Sequence, residues 1–283
     1  ERGRVYPAGR QASAVTDLFR RELARLNVQV RTDACVEKMA FQNGFSLMFG
    51  AERVSADAVV LAAGGKAAPN FGTDGGAFSL AKAFGHTVTP LTPALVQLRC
   101  DMNSVRGLKG IRVDGGLCVV RRGEEIYRCR GDVLFTENGV SGDAVFRASS
   151  YAQTGDKLLV DLLPDLSEER LRERIDPSAG ESCLLCVVNN GLGRTLFKRS
   201  AGDRDILVSL LKRYPLIVEG TLGFERAQVT RGGVPLRETD ENFMSVKQAG
   251  LYFAGEILNA DGECGGYNLQ WAFTTAHCVS EGV

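Results

Sequence analysis

Apolar residues recur at helical spacing near the start of the chain, where Val15, Leu18, Phe19, Leu23 and Leu26 share one face of a helix predicted over residues 13–26. The period then shortens. Val28-Gln29-Val30 predicts a short strand, and residues 35–39, 45–49 and 52–54 predict an antiparallel meander turning at Asn43-Gly44 and Gly50. The run 56–65 is mostly apolar and ends in Gly64-Gly65, the pattern of a strand buried on both faces of a parallel sheet. A glycine loop, 72–76, leads into a second helix carrying Phe78, Leu80, Ala81 and Phe84, with Gly85 placed to end it.

From residue 87 to about 160 short β-rich pieces (94–98, 117–121 and 125–129) alternate with Gly and charged turns, which predicts a compact antiparallel barrel or sandwich. Residues 158–163 add a strand closed by Pro164. Ser167 caps a charged helix, and helical patterns continue through 182–189 and 205–212. Strand texture returns at 217–224 and 227–230, broken by Gly232-Gly233. The last stretch holds a strand at 250–255, a Gly/Asp loop and a helix over about 267–278. The expected fold class is α/β. One domain is made from the two ends of the chain (1–87 and 227–283), interrupted by an inserted antiparallel β-barrel (88–163 with 215–226) and a small helical subdomain (164–214).

Composition narrows the function. The 283 residues carry 34 basic and 34 acidic side chains, a formal net charge of zero, with 44% hydrophobic and 24% charged residues. Those proportions exclude a disordered chain. Neutrality removes the electrostatic case for nucleic acid, so the expected partner is a small-molecule substrate, with no nucleic acid. No apolar run approaches the ~20 residues of a membrane span, and Glu1-Arg2-Gly3-Arg4 lacks a signal-peptide core. No membrane partner and a cytoplasmic location are expected.

The eight cysteines, spread through apolar segments, read as buried free thiols. Cys183 and Cys186 are the one close pair; they fall in an apolar helical run and read as core packing. A thiol-redox enzyme is a distant alternative. With only His86 and His277 in the chain, no metal site is expected. His86 reads as structural or solvated, and the group Glu238, Asp240 and Glu241 as a solvated turn. Tyr267 and Trp271, four apart, either pack one helix face or serve a ligand. No nucleophile–base pair stands out, so no catalytic residue is assigned.

Two glycine-ended strands carry the chemical case. Ala62-Ala63-Gly64-Gly65 and Phe253-Ala254-Gly255-Glu256 both have the small residues that let a ligand meet backbone beyond the carboxyl end of a strand. The second runs into Asp261-Gly262-Glu263-Cys264-Gly265-Gly266-Tyr267-Asn268 and then a helix, whose first amides and positive dipole end favour an anion. Either motif alone reads better as ordinary strand-end or helix-start glycine. Both together, in order around an insertion, favour a ligand site.

Residues 250–272, above all Phe253-Ala254-Gly255-Glu256 and Gly265-Gly266-Tyr267-Asn268-Leu269-Gln270-Trp271-Ala272, resemble the C-terminal signature of bacterial NAD(P)/FAD-dependent, aminoacetone-oxidase-like oxidoreductases. The resemblance recurs at 3–7, 59–65, 72–76, 134–142 and 227–234. It implies a glutathione-reductase-like, Rossmann-type FAD-binding domain. In it Gly64 and Gly65 would close on the cofactor, Gly255 and Glu256 would meet its ribityl or pyrophosphate region, and Gly265, Gly266, Tyr267 and Asn268 would lie at the flavin ring. Gly232 and Gly233 would sit nearby, and Asp261 belongs to the same cofactor loop. NAD(P)H is the implied electron donor, with a small organic substrate or oxygen as acceptor.

Three features depart from that pattern. The G-x-G-x-x-G turn of a dinucleotide fold is missing, its nearest match being Gly191-Leu192-Gly193-Arg194-Thr195-Leu196, so the N-terminal ADP-binding βαβ unit is expected to lie outside this chain. Ala63 stands where a Thr is usual, and Asp143 where a Pro is usual. The alternatives are a flavoprotein scaffold fragment that neither binds FAD nor turns over, and a non-catalytic binding module.

Overall fold

The computed structural model describes residues 3–283; Glu1 and Arg2, part of the opening segment read above, lie outside them. Helix α1 (Ala12–Arg25) forms as its periodicity predicts, yet none of its residues is buried. Its apolar stripe stays half exposed at Leu18 and Phe19, with Phe19 stacked 6.1 Å from Phe273. Residues 28–30 form no strand, contrary to expectation; Val28 and Val30 are exposed, and no neighbouring strand takes up their backbone groups.

Strands β1 (Lys38–Phe41), β2 (Phe45–Phe49) and β3 (Glu52–Ala56) make the expected antiparallel meander, with Phe41 opposite Phe45 and Phe45 opposite Ala56. Asn43 (φ 58°) and Gly44 (φ 136°) supply the positive dihedrals of its first turn. Strand β4 (Val59–Leu61) follows, then helix α2 (Gly76–Ala83), which buries Phe78, Leu80 and Ala81.

The chain leaves this layer through β5 (Thr92–Ala94) and enters a closed barrel. Its members are β6 (Leu98–Cys100), β7 (Arg112–Arg121), β8 (Glu124–Phe135), β9 (Gly139–Ser141), β10 (Lys157–Asp161) and a last strand, Tyr214–Thr221. A short helix α3 (Met102–Val105) follows β6, and α4 (Asp143–Ser149) follows β9. Between β10 and the last barrel strand come α5 (Glu168–Arg174), capped by Ser167 as expected, α6 (Asn190–Ser200) and α7 (Arg204–Lys212). Naming Tyr214–Thr221 β11, the order around the barrel is β10-β11-β6-β9-β8-β7, closing back onto β10. Leu117, Val119, Val133, Phe135, Leu158 and Leu216 fill it. Leu171, Leu192, Leu196 and Leu207 from the helices join the same apolar cluster.

Cys183 and Cys186 do not sit in a helix together. Cys183 is in a 3₁₀ stretch (Pro177–Leu184) broken at Gly180, and Cys186 is exposed with φ 61°. Helix α6 starts at Asn190 instead, so the G-x-G match at 191–193 is helix interior, where Gly193 admits the Leu184 side chain. All eight thiols are free, but Cys35 and Cys186 are exposed and only Cys100 and Cys118 are fully buried.

The chain returns through β12 (Val229–Arg231), antiparallel to β5, to β13 (Leu251–Phe253) and the final helix α8 (Tyr267–Gly282). β13 pairs in parallel with β4, Leu251 opposite Val59 and Phe253 opposite Leu61. Phe45, Leu61, Phe78, Leu80, Phe253 and Ile257 make the core of this Rossmann-like layer. Val60 points outward, 42% exposed, so β4 is covered on one face rather than on two. No helix among the described residues is long and apolar enough to cross a membrane.

Glu238 overturns the reading of a solvated turn. It is buried, and its Oε2 accepts from the Thr87 amide (2.9 Å), Lys247 Nζ (3.0 Å) and His86 Nδ1 (3.0 Å), while Asp240 and Glu241 stay exposed. His86 Nε2 meets Ser245 Oγ at 2.7 Å, and its ring packs edge-on against Phe253. The order Ser245–His86–Glu238 mimics a hydrolytic triad, but Ser245 is 2% exposed and its oxygen already accepts from the Lys247 and Gln248 amides. The trio is a structural tie.

Burial holds the His86 imidazole below its ordinary pKa, outweighing Glu238. Burial alone would raise the Glu238 carboxyl, but the hydrogen bonds from Thr87, Lys247 and His86 hold it down to about 2. Both groups therefore bind more protons unfolded than folded, and stability falls as pH falls. The loss begins as pH drops through 6.5, where the unfolded histidine charges, and continues from 4.5 towards 2 as the unfolded glutamate protonates. Thermal melts across this range are expected to show an acid loss of about 3 kcal/mol from Glu238, roughly 6–12 °C, that is smaller in Glu238→Gln than in the wild type.

Candidate functional site

Parallel pairing brings the carboxyl ends of β4 and β13 to one edge, and a cleft of about 430 Å³ opens there. Gly64, Gly255, Glu256, Gly265, Gly266 and Asn268 all line it. Leu95 and Val229, beside the root of the barrel, form one apolar wall, and Ala272 and Ala276 of α8 form the other. Gly64 (φ 76°) and Gly266 (φ 95°) have no heavy atom within 4 Å of where a Cβ would stand, so the space beside both is open.

Helix α8 is held at the cleft by Gly255. The Gly255 amide donates to Thr275 Oγ1 (2.8 Å), and the Gly255 carbonyl accepts from Trp271 Nε1 (3.3 Å). The Thr275 hydroxyl donates back to the Trp271 carbonyl (2.9 Å), and the indole packs edge-on against Phe243. Trp271 thus serves the loop after β13. Tyr267 does not share that face: it is 62% exposed and lies over Gly262. The α8 N-cap, Gly266, supplies no side-chain acceptor, so the first amides of the helix are left at the cleft without a capping partner. Asn268 pins the preceding loop, accepting from the Gly262 amide (2.8 Å) and donating to its carbonyl (3.0 Å).

The other wall depends on Thr230, which the sequence did not single out. Its hydroxyl accepts from the Lys66 (2.7 Å) and Ala67 (2.9 Å) amides, and its own amide donates to Glu256 Oε1 (3.0 Å). Gly65 faces this junction rather than the cleft. A Cβ there would stand 2.3 Å from Glu256 Oε1 and 2.6 Å from Thr230 Cβ. Burial raises the Glu256 carboxyl above its ordinary value, partly offset by the Thr230 amide.

Gly232, Gly233 and Asp261 stand outside the lining. A Cβ at Gly232 would meet the Pro90 carbonyl at 2.3 Å, and one at Gly233 the Ile257 carbonyl at 2.5 Å, so both serve close backbone passage. Asp261 accepts from Arg231 Nη2 (2.8 Å) and Nε (3.1 Å), while Arg231 Nη1 donates to the Ser150 carbonyl beyond α4 (2.6 Å). That guanidinium ties the cleft loop to the barrel. Cys264, also missed, lines the cleft. Thr275 had a legible signal, a threonine in mid-helix whose hydroxyl can bond back to i−4.

A mixed α/β protein with a Rossmann-like layer and a closed six-stranded barrel, its cleft at the ends of the parallel strands, is the class these features define. The chain belongs to the family described as HI0933-like protein Rossmann domain, whose model matches residues 1–282. The match does not single out the narrower aminoacetone-oxidase-like group.

Over 97% of its length the chain is 32% identical to 74% of a 3-dehydro-bile acid delta(4,6)-reductase of Clostridium scindens. It is 30% identical to a ribosomal RNA dihydrouridine synthase of Escherichia coli (95% of this chain, 72% of the relative). It is 29% identical to one of the same name from Haemophilus influenzae (78% and 59%). The two relatives named for ribosomal RNA overturn the exclusion of nucleic acid drawn from neutral charge. A formal sum of zero is a global quantity and does not decide how charge is distributed over the surface.

Thr275→Val keeps the shape but leaves the buried Gly255 amide without an acceptor, and is expected to cost about 1–3 kcal/mol in urea unfolding. Gly65→Ala overpacks the Thr230–Glu256 junction and is expected to cost about 1–3 kcal/mol by the same measurement.

Proposed function

We propose that the chain forms the flavin-side part of an FAD-dependent oxidoreductase that reduces a carbon–carbon double bond conjugated to a carbonyl. The observation that carries the reading is the cleft itself. Parallel strand ends, open glycine-floored space at Gly64 and Gly266, apolar walls and uncapped α8 amides suit a flat, electron-accepting ring whose far edge becomes anionic on reduction. Its volume lies within the roughly 300–1,000 Å³ of small-molecule sites. Gly64, Gly255, Gly265 and Gly266 would let the ring approach backbone, the α8 amides would face its anionic edge, and Glu256 and Asn268 would accept from or orient the ribityl chain. Bound there, FAD would supply hydride transfer from NAD(P)H to the substrate. The protein's part is to orient, to exclude water behind Leu95 and Val229, and to stabilise charge.

The substrate class rests on what two relatives' names have in common. One names reduction of a 4,6-unsaturated 3-dehydro steroid, the other a uridine whose ring double bond becomes saturated. In both the alkene is conjugated to a carbonyl, which makes it a hydride acceptor. The half-exposed stripe of α1 and the outward Val60 of β4 support a further proposal, that an ADP-binding strand–helix unit completes this layer. A glutathione-reductase-like arrangement and a cytoplasmic location, supported by eight free thiols, go with the reading.

Titration with FAD, followed by flavin absorbance and fluorescence, tests it. The chain, alone or joined to the ADP-binding unit, is expected to bind. Gly64→Val, which places a β-branched side chain at φ 76° beside the cleft, is expected to weaken binding at least tenfold with the far-UV spectrum retained. Binding by neither form, or equal binding by Gly64→Val, would defeat the proposal.

A further inference from the structure

Hydride addition to a double bond conjugated to a carbonyl moves negative charge onto the carbonyl oxygen, and a hydrogen-bond donor fixed at that oxygen speeds the step. Among the described residues that line the cleft, the polar side chains are Gln228, Glu256, Cys264 and Asn268. Asn268 spends both its amide oxygen and its amide nitrogen on Gly262. Glu256 is an acceptor held by the Thr230 amide, and the Cys264 thiol is a weak donor. Gln228 differs from all three. Its carboxamide has no hydrogen-bond partner among the described residues, so a donor and an acceptor are both unspent. Its backbone is held firmly: the Gln228 amide donates to the Leu95 carbonyl (3.2 Å), beside the pairing of Val229 with Ala94. Ala227, Val229 and Thr230 around it are buried, and Gln228 alone of the four is exposed. The side chain turned out of the core is thus the polar one, and it interrupts the apolar wall of Leu95 and Val229, with Ala272 and Ala276 of α8 on the other side of the cleft.

We infer that Gln228 binds the carbonyl oxygen of the substrate in the proposed reduction, donating its Nε2–H to that oxygen as it becomes an enolate. The inference rests on the flavin reading of the cleft. In the step the alkene β-carbon takes a hydride from reduced flavin, which is thereby oxidised. The alkene electron pair moves towards the carbonyl, and the oxygen becomes anionic. A proton from water then bonds to the α-carbon and the carbonyl is restored. Nε2–H holds the anionic oxygen more tightly than the neutral one, which is the condition for an effect on rate rather than on binding alone. The donor has no protein partner to give up before it meets the substrate, and its backbone is already anchored at the root of the barrel.

Two readouts test the inference in the FAD-binding form of the protein. The first is titration with para-chlorophenol, whose phenolate imitates the enolate and gives a long-wavelength charge-transfer band when it stacks on oxidised flavin. The wild type is expected to bind phenolate in preference to phenol, so that the band appears at a pH below the ordinary titration of the phenol. Gln228→Met keeps the length and removes the donor; phenolate affinity is expected to fall at least tenfold, with the band moved to higher pH. Gln228→Glu, which sets a carboxylate against the phenolate, is expected to bind it more weakly still. The second readout is reoxidation of dithionite-reduced flavin by cyclohex-2-enone, expected to slow by about 10²–10³-fold in Gln228→Met with FAD affinity within threefold of wild type. Phenolate binding or reoxidation unchanged in Gln228→Met would overturn the inference while leaving the flavin reading intact. So would a loss of FAD affinity in that variant, which assigns the side chain to the cofactor. A wild type that binds FAD but neither binds phenolate nor reduces the enone also overturns it. Failure of the wild type to bind FAD at all is the separate outcome that removes the flavin reading, and this inference with it.

Discussion

Gly255 is the residue on which the cleft depends, because both of its backbone groups reach one helix, the carbonyl while also accepting from the Leu258 amide. Its amide goes to Thr275 and its carbonyl to Trp271, one turn apart on α8. With φ at 75° only glycine takes that position without strain, and the positive dihedral swings the chain from β13 under the helix. The open start of α8 is thereby fixed against the ends of β4 and β13. Without those two hydrogen bonds the helix could slide along the sheet, and Gly265, Gly266 and Asn268 would lose their register with Gly64.

A second tie comes from β12. Thr230 collects the Lys66 and Ala67 amides and hands Glu256 its own, so three segments far apart in sequence converge on one threonine. Arg231, the next residue, reaches the opposite way to Asp261 and Ser150. Alternation along a strand sends consecutive side chains to opposite faces, and β12 uses this to join the strand-end loop on one side and the barrel on the other.

The parts of the fold written in local pattern were legible. Glycine-ended apolar runs located both strand ends, turn residues marked the meander, and frequent short strands announced the barrel. The misses share a cause. Val28–Val30 has strand composition but no partner, and β-structure is completed by neighbours rather than by propensity. Glu238 looked like a solvated acid because its partners His86 and Lys247 lie elsewhere in the chain. Gly232 and Gly233 looked like ligand glycines because a glycine needed for a ligand and one needed for a crossing backbone are written with the same letter. At the cleft the sequence pointed to Gly64, Gly255, Glu256, Gly265, Gly266 and Asn268; it did not point to Thr230 or Thr275, whose hydrogen bonds exist only once distant segments meet.

The barrel joins the Rossmann-like layer through a two-stranded ribbon, β5 against β12, with Ala94 opposite Val229. The residues that leave for the insertion and those that come back are zipped together, with 134 positions between Ala94 and Val229. Leu95 and Val229, the apolar wall of the cleft, sit at the foot of that ribbon. The packing at that foot therefore sets the width of the cleft on its apolar side. The same ribbon that closes the insertion also gauges the slot, and Arg231, bonded to Asp261 and to the Ser150 carbonyl, holds the barrel against it.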